Sequence, residues 1–211
     1  MMIDLSQMIA FAGVALLMVL TPGPNMIYLI SRSISQGKSA GLISLAGIIL
    51  GFIFYMACAS LGITAFLFAV PFAYDTIKIL GALYLLWLAW NAVKPNGVSA
   101  FQTVDLKPDR PMKLFMMGFL TNLLNPKIAI MYLSLLPQFI QPNHGSVFVQ
   151  SMTLGLIQIV VSVFVNVLIV YSAGSLAALM NRKPIWTQIQ KWMMGTVLSV
   201  LAIRLLLDER K

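Results

Sequence analysis

The stretch from Met8 to Ile30 constrains the fold of this chain most, because it is almost wholly apolar and yet interrupted. It is long enough to cross a bilayer core of about 30 Å as a helix. The interruption is the segment Thr21–Asn25, with the sequence TPGPN, whose prolines remove backbone hydrogen bonds that lipid cannot replace. Irregular backbone at this depth is tolerated only where it is buried in protein or lines a wet cavity. The sequence therefore predicts a broken span that faces the interior of a membrane protein.

A second interruption lies at the matching place in the other half of the chain. It is the segment Thr121–Lys127, with the sequence TNLLNPK. Thr121 and Asn125 repeat the spacing of Thr21 and Asn25, and a proline adjoins each asparagine. Interrupted hydrophobic segments at matching positions of two halves are the best sequence indicator of a transporter's binding site. We therefore interpret the chain as a transporter.

The composition excludes most other classes of protein. Hydrophobic residues make up 60% of the chain and charged residues only 9%, whereas a soluble domain carries about 25% charged residues. The net charge of +8 comes from basic residues in short loops, a pattern typical of membrane orientation rather than of nucleic-acid binding. Cys58 is the single cysteine, which excludes a disulfide within the chain. The N-terminus has no basic region before the first span, so we expect no cleaved signal peptide.

Six spans are the most economical partition of the apolar runs. We expect an all-α integral membrane protein with one transporter domain over residues 1–211, in which spans 1 and 4 are broken. Three spans in each half predict a 3+3 inverted repeat, about 1–97 and 110–211, linked by the polar loop 98–113. A further loop is expected at Ser31–Ser39. The predicted spans are about Ile3–Ile30, Ala40–Phe68, Thr76–Val93, Leu114–Leu136, Ser146–Leu179 and Trp186–Leu207.

The basic residues predict the orientation in the membrane. The loops after spans 1, 3 and 5, with the start of span 6, hold nine of them, and the opposite side holds few. Because cytoplasmic loops carry an excess of lysine and arginine, both termini are expected outside the cytoplasm. The nine are Arg32, Lys38, Lys94, Lys107, Arg110, Lys113, Arg182, Lys183 and Lys191.

The two breaks have the chemistry of helix starts. Thr21 before Pro22 and Asn125 before Pro126 each read as an N-cap residue followed by proline at the first helical position. Such an end carries about half a positive charge, which suits a carboxylate. Lys127 lies 14 residues beyond Lys113, about 21 Å along a helix, so a full charge is expected within the bilayer. The alternative is that the prolines only kink packed helices and that Lys127 extends to a membrane surface.

Other residues carry weaker signals. Gly47 and Gly51 form a GxxxG pattern, which favours close helix packing, and Tyr55 one turn later either offers a hydroxyl to a cavity or packs. Gln158 and Asn166 are typical of hydrogen bonds between helices, and His144 of a solvated loop. No cluster of Asp, Glu or His lies inside a span, so neither a metal site nor a membrane hydrolase is indicated.

These motifs resemble those of the LysE/RhtB family of amino-acid exporters. The resemblance rests on the two breaks, on the glycine series Gly41–Gly51 and on Gly81–Leu85, and it covers the whole chain. It implies efflux of amino acids or close derivatives across the bacterial cytoplasmic membrane, energised by the proton motive force. One departure is Phe52, where some relatives have an acidic residue, so no carboxylate is evident for proton coupling. The match implies the substrate-binding residues Pro22, Gly23, Pro24, Asn25, Thr121, Asn122, Asn125, Pro126 and Lys127, and Thr21 and Tyr55 are further candidates.

Three functional hypotheses follow, of which a secondary exporter or antiporter is favoured. A channel lacks the rings of charge expected of a pore, and a non-transporting assembly subunit has no need of two matched breaks. All six acidic residues lie at span ends or in loops, so a neutral amino acid is expected in preference to a basic one. The expected partners are the amino-acid substrate, protons, the lipid bilayer and a second copy of the chain. No enzyme activity, cofactor, metal or nucleic acid is expected.

Overall fold

The computed structural model describes residues 3–63, 71–94, 108–182 and 184–207, and within these ranges every regular element is helical. Short π-helical segments lie at Ala59–Ile63 and Met131–Leu135, and 3-10 turns occupy Leu136–Phe139 and Pro142–His144. The α-helices are α1 (Leu5–Leu20), α2 (Pro24–Gln36), α3 (Lys38–Cys58), α4 (Pro71–Val93), α5 (Pro111–Leu123), α6 (Pro126–Ile130), α7 (Val147–Arg182) and α8 (Pro184–Leu207).

Several of these helices are suited to cross a membrane. Lys38–Gly62 and Val147–Ser175 are long and apolar enough to do so unbroken. Two bent helix pairs qualify if each pair counts as one span, and Ile79–Asn91 and Gly195–Leu207 are shorter apolar stretches. A chain with several such helices is a multi-pass membrane protein. The finer arrangement of six spans in a 3+3 inverted repeat stays a prediction.

Both predicted breaks are confirmed as bends between successive helices. The axes of α1 and α2 differ by 55° across Thr21–Gly23, and those of α5 and Pro126–Phe139 differ by 49° across Leu124–Asn125. Each new helix begins with a proline, which fits the first helical position because the missing N–H is not needed there. The bends therefore have a local cause in the sequence.

The prediction of a loop at Ser31–Ser39 is wrong. Helix α2 continues to Gln36 and α3 begins at Lys38, so the connection is the single residue Gly37. Its φ of 86° lies in the region that glycine adopts without steric cost. Within the linker predicted at 98–113, residues 98–107 lie outside the described residues, as do Lys183 and the tail 208–211.

Glycines set the distance between α3 and α5. A Cβ added at Gly47 would overlap the Phe115 main-chain carbonyl, and one at Gly118 would overlap that of Ser44. A Cβ at Gly51 would lie 2.7 Å from the Cβ of Asn122. Small residues on both helices thus let the two backbones approach closely, as the GxxxG pattern predicted. This contact fixes α5 just before its break.

A charged cluster joins the end of α2 to the start of α5. The Arg32 guanidinium is 2.8 Å from the Asp109 carboxylate, and its side chain is 5% exposed. Lys113 binds the same carboxylate at 2.6 Å, and this hydrogen bond holds the pKa of Asp109 below its ordinary value. Gln36 donates to the Asp109 carbonyl at 3.0 Å. Arg32, predicted in a loop, therefore lies on a helix. Its side chain can be buried because the Asp109 carboxylate is present to bind it.

Candidate functional site

The two breaks meet in the interior of the protein. The Asn125 side-chain amide donates to the Asn25 side-chain oxygen at 3.0 Å. Both asparagines are buried, and they are the residues that occupy matching places in the two breaks. Because a buried amide without a partner is costly, the pair stabilises the contact between the breaks.

The second break has the capping chemistry that the sequence predicted. The Asn125 side-chain oxygen accepts a hydrogen bond of 3.0 Å from the main-chain N–H of Lys127, and Pro126 occupies the first helical position. Asn125 is therefore an N-cap whose amide oxygen binds the new helix while its NH₂ group binds the first break. One side chain thus joins the start of α6 to the start of α2.

The first break differs from the expectation. Thr21 is the C-cap of α1, and its hydroxyl donates to the Leu17 carbonyl at 2.8 Å. The N-cap of α2 is Gly23, whose backbone is extended, and Pro24 is the first helical residue. The prediction that Thr21 caps the new helix was wrong, because Thr21 precedes Pro22 and Gly23 precedes Pro24, and a residue before proline is driven to extended backbone.

Lys127 connects the second break to the first through its side chain. Its ammonium donates to the main-chain carbonyls of Met18 at 2.9 Å and of Thr21 at 2.6 Å, at the C-terminal end of α1. The side chain is only 6% exposed, so the ammonium lies in the interior rather than at a membrane surface. Since the negative end of a helix attracts cations, α1 supplies a favourable environment for this charge.

Glycine at position 23 leaves room for that lysine. A Cβ added at Gly23 would lie 3.1 Å from Nζ of Lys127 and 3.2 Å from its Cε. The φ of Gly23 is −167°, which other residues also adopt, so the reason for glycine here is space rather than backbone conformation. Gly23 of the first break therefore leaves the space that the Lys127 side chain of the second break occupies.

A small cavity adjoins the meeting point of the breaks. Its volume is about 20 Å³, which is room for about one water molecule. Apolar side chains form most of its wall, and amides, a hydroxyl and the lysine form the rest. The lining residues are Met18, Val19, Asn25, Met26, Phe52, Lys127, Ile128, Met131, Gln158, Ser162 and Asn166.

A polar stripe on α7 forms one wall of the cavity, and its residues were not among those predicted for the site. Gln158, Ser162 and Asn166 recur every fourth residue, so they share one face of the helix. The Gln158 amide donates to the Ser162 hydroxyl at 3.0 Å, and the Asn166 amide donates to the Ser162 carbonyl at 2.8 Å. The spacing of these polar residues in an apolar span was the signal that could have revealed them.

Three predicted site residues lie beside the cavity without lining it. Tyr55 donates from its hydroxyl to the Leu123 carbonyl at 2.8 Å and stacks on Tyr132, with ring centroids 5.5 Å apart. Asn122 is fully buried against Gly51, and its side-chain amide has no hydrogen-bond partner among the described residues. Thr121 is half-buried on α5. Of the predicted set, Asn25 and Lys127 line the cavity, and Asn125 joins them by its hydrogen bonds.

The cavity wall also contains the position at which the sequence departs from some relatives. Phe52 lies on it and is 1% exposed, so no carboxylate enters the cavity from α3 at this point. No group of three or more His, Cys, Asp or Glu side chains that could hold a metal ion occurs in the part of the chain that the structure describes.

Comparison with known proteins identifies the family of this chain. The sequence profile of the LysE type translocator family matches residues 16–209. The chain belongs to the LysE-type translocator family. Members of this family are transporters rather than enzymes, and amino-acid export is supported at the level of the family.

Individual relatives of this translocator are moderately similar. It is 29% identical over 173 residues to an uncharacterized membrane protein, YrhP, of Bacillus subtilis, covering 78% of this chain and 82% of that one. It is 29% identical over 152 residues to a leucine efflux protein of Salmonella choleraesuis, covering 68% and 69%. A leucine efflux protein of Klebsiella pneumoniae is 27% identical over 129 residues, 61% of each chain. No solved structure gives a significant match.

Proposed function

We propose that this translocator exports neutral amino acids from the cytoplasm as a secondary transporter driven by the proton motive force. The observation that carries the proposal is the small cavity at the junction of the two broken spans, lined by Asn25 and Lys127. Binding sites between half-helices are typical of secondary transporters. The leucine efflux proteins among its relatives support an amino acid as the substrate.

The substrate-binding residues are proposed to be those of the two breaks, together with the stripe on α7. Helix α2 begins at Pro24, next to Asn25 and Met26 on the cavity wall, and its positive end suits a carboxylate. The apolar side chains of Met18, Met26 and Met131 suit an aliphatic side chain. Thr21, Pro22, Gly23, Thr121, Asn122, Pro126 and Tyr55 support the same site by setting the positions of the half-helices.

The charge of the cavity supports a neutral substrate. A lysine or arginine side chain would bring an additional cation into a cavity whose wall has no carboxylate to pair with it, and an unpaired charge in such a site costs several kcal/mol. The described acidic residues are Asp4, Asp75 and Asp109, and each lies at the start of a helix. None of them lines the cavity.

The small volume of the cavity also supports a carrier over a channel. A space for about one water molecule is too small for an amino acid, so the protein has to change conformation to admit its substrate. The two bends at 55° and 49° are the places where the half-helices can move relative to each other. An inverted 3+3 repeat, with both termini outside the cytoplasm in the bacterial inner membrane, is the proposed framework for that movement.

Dipeptide loading tests the substrate class. Cells with and without the protein are fed dipeptides, which are hydrolysed inside, and the free amino acids that accumulate are measured. We expect leucine or another neutral amino acid to accumulate when the protein is absent. Selective retention of lysine or arginine would contradict the neutral preference. In proteoliposomes, exchange of labelled for unlabelled leucine against a gradient separates a carrier from a pore, because only a carrier performs it.

A further inference from the structure

The end of α1 forms a site for an ammonium group. In a continuous helix the Met18 carbonyl would accept from the N–H of residue 22, but that residue is Pro22 and has no N–H. The ammonium of Lys127 supplies the missing donor to Met18 at 2.9 Å and also binds the Thr21 carbonyl at 2.6 Å. Two main-chain acceptors at the negative end of a helix therefore hold one cation.

A further acceptor lies on the wall of the same cavity. The side-chain oxygen of Gln158 has no hydrogen-bond partner among the described residues, and Gln158 is 2% exposed. A buried acceptor without a donor is costly. A substrate's α-ammonium has three donors, which suit the two carbonyls of α1 and this amide oxygen.

Among the described residues, the elements packed around Lys127 supply no charged partner for it. On α2, Tyr28 donates to the Leu114 carbonyl and Arg32 is paired with Asp109. On α3, Tyr55 donates to the Leu123 carbonyl and Cys58 lies three residues further on. Tyr132 stacks on Tyr55 from the π-helical segment, and Tyr171 of α7 is exposed next to Lys38. Lys127 is thus the one charged side chain on the cavity wall within the described residues.

We propose that Lys127 carries the coupled proton, and that its ammonium and the α-ammonium of the substrate occupy the two α1 carbonyls in turn. This deepens the proposed exporter function and rests on it. With Lys127 protonated, the carbonyls are occupied and the substrate is excluded. When an N–H bond of the ammonium breaks, the proton passes to water and the electron pair stays on Nζ. The neutral amine is a weaker donor, so the substrate's ammonium takes the carbonyls.

Proton and substrate then exclude each other, and mutual exclusion at one site is what an antiporter requires. The protein releases a proton when it binds substrate on the cytoplasmic side, and it takes up a proton from outside when substrate leaves. This differs from a role in which the Lys127 cation binds the substrate's carboxylate, because binding would then retain the proton rather than release it.

The test is the proton linkage of leucine binding to the purified protein in detergent. In weakly buffered solution with a pH-sensitive dye, we expect the wild type to release close to one proton for each leucine bound. The apparent Kd should fall about tenfold per pH unit over the range in which Lys127 is protonated. Lys127→Met has a side chain of similar length without the charge, and Lys113→Met removes a lysine that is 63% exposed as the matched control.

We expect the Lys113→Met protein to behave as the wild type. Whatever leucine affinity Lys127→Met retains should vary less than twofold over the same pH range, with no proton released. If that variant fails to fold, Lys127→Arg gives a second test, because a guanidinium keeps its proton and should therefore occupy the two carbonyls and abolish leucine binding at every pH in the range. A proton still released per leucine in either Lys127 variant would overturn the assignment. If the wild type binds no neutral amino acid, the exporter proposal fails and this inference fails with it.

Discussion

A methyl group added at Gly51 should separate α3 from α5 and displace the second break. The new Cβ would lie 2.7 Å from the Cβ of Asn122 and 2.8 Å from its Cγ. The Cβ of Asn122 is fixed to the α5 backbone, so a side-chain rotation cannot relieve this overlap. Restoring ordinary contact at 3.4 Å requires the helices to separate by about 0.7 Å. Since Asn122 lies three residues before Asn125, the pair formed by Asn25 and Asn125 moves with it.

The expected loss of stability from Gly51→Ala is about 1–3 kcal/mol, as for other overpacked interiors. For a chain of this size that corresponds to a melting temperature lower by about 2–12 °C. The measurement is thermal unfolding of the detergent-purified protein, followed by size-exclusion fluorescence, together with leucine exchange in proteoliposomes. Gly13→Ala is the matched control, because nothing lies within 4 Å of a Cβ built there.

We expect Gly13→Ala to be as stable as the wild type or slightly more so, since alanine favours helix over glycine. A second variant, Gly51→Ala with Asn122→Gly, removes the overlap and should recover part of the lost stability but not the exchange activity, because Asn122 supports the proposed site. If Gly51→Ala unfolds at the same temperature as Gly13→Ala and exchanges leucine normally, the close α3–α5 contact is not what fixes the break.

Three further predictions concern single contacts. Asn25→Ala and Asn125→Ala should each abolish leucine export, measured by dipeptide loading, while immunoblotting shows that the protein stays in the membrane. Normal export by either variant would show that the asparagine pair has only a packing role. Gly23→Ala should slow export at unchanged membrane levels, because its Cβ meets Nζ of Lys127 at 3.1 Å. Asp109→Asn should lower the melting temperature near neutral pH, since it breaks the ion pair with Arg32. Because the pKa of Asp109 is lowered in the folded protein, its contribution is present above about pH 3.9 and is lost below it, so wild type and variant should converge in acid.

The sequence was sufficient to predict the bends and the N-cap at Asn125, because proline and asparagine act locally through their own backbone and side-chain geometry. It was not sufficient for the partner of Lys127. That partner is a pair of main-chain carbonyls more than a hundred positions away. Every residue has such a carbonyl, so residue types do not indicate which carbonyls bind a cation. The burial of Arg32 was missed for a related reason, because the acid that binds it lies on another helix. The stripe on α7 could have been predicted from the spacing of Gln158, Ser162 and Asn166, which recur every fourth residue.

The two breaks lie at matching places in the sequence and differ in chemistry, and this difference suits a zwitterionic substrate. The residue that corresponds to Lys127 in the first half is Ile27, so only one break contributes a cation. The end of α5 is satisfied by the Tyr55 hydroxyl on the Leu123 carbonyl, a neutral donor that carries no exchangeable charge at ordinary pH. The end of α1 is satisfied by the ammonium of Lys127, which the substrate's ammonium replaces in the proposed mechanism. A strictly symmetric pair of breaks would offer two equivalent ends, whereas under that proposal this pair offers one fixed end and one that a substrate can occupy. The two broken spans then supply the framework, and the single lysine decides which end takes part in exchange.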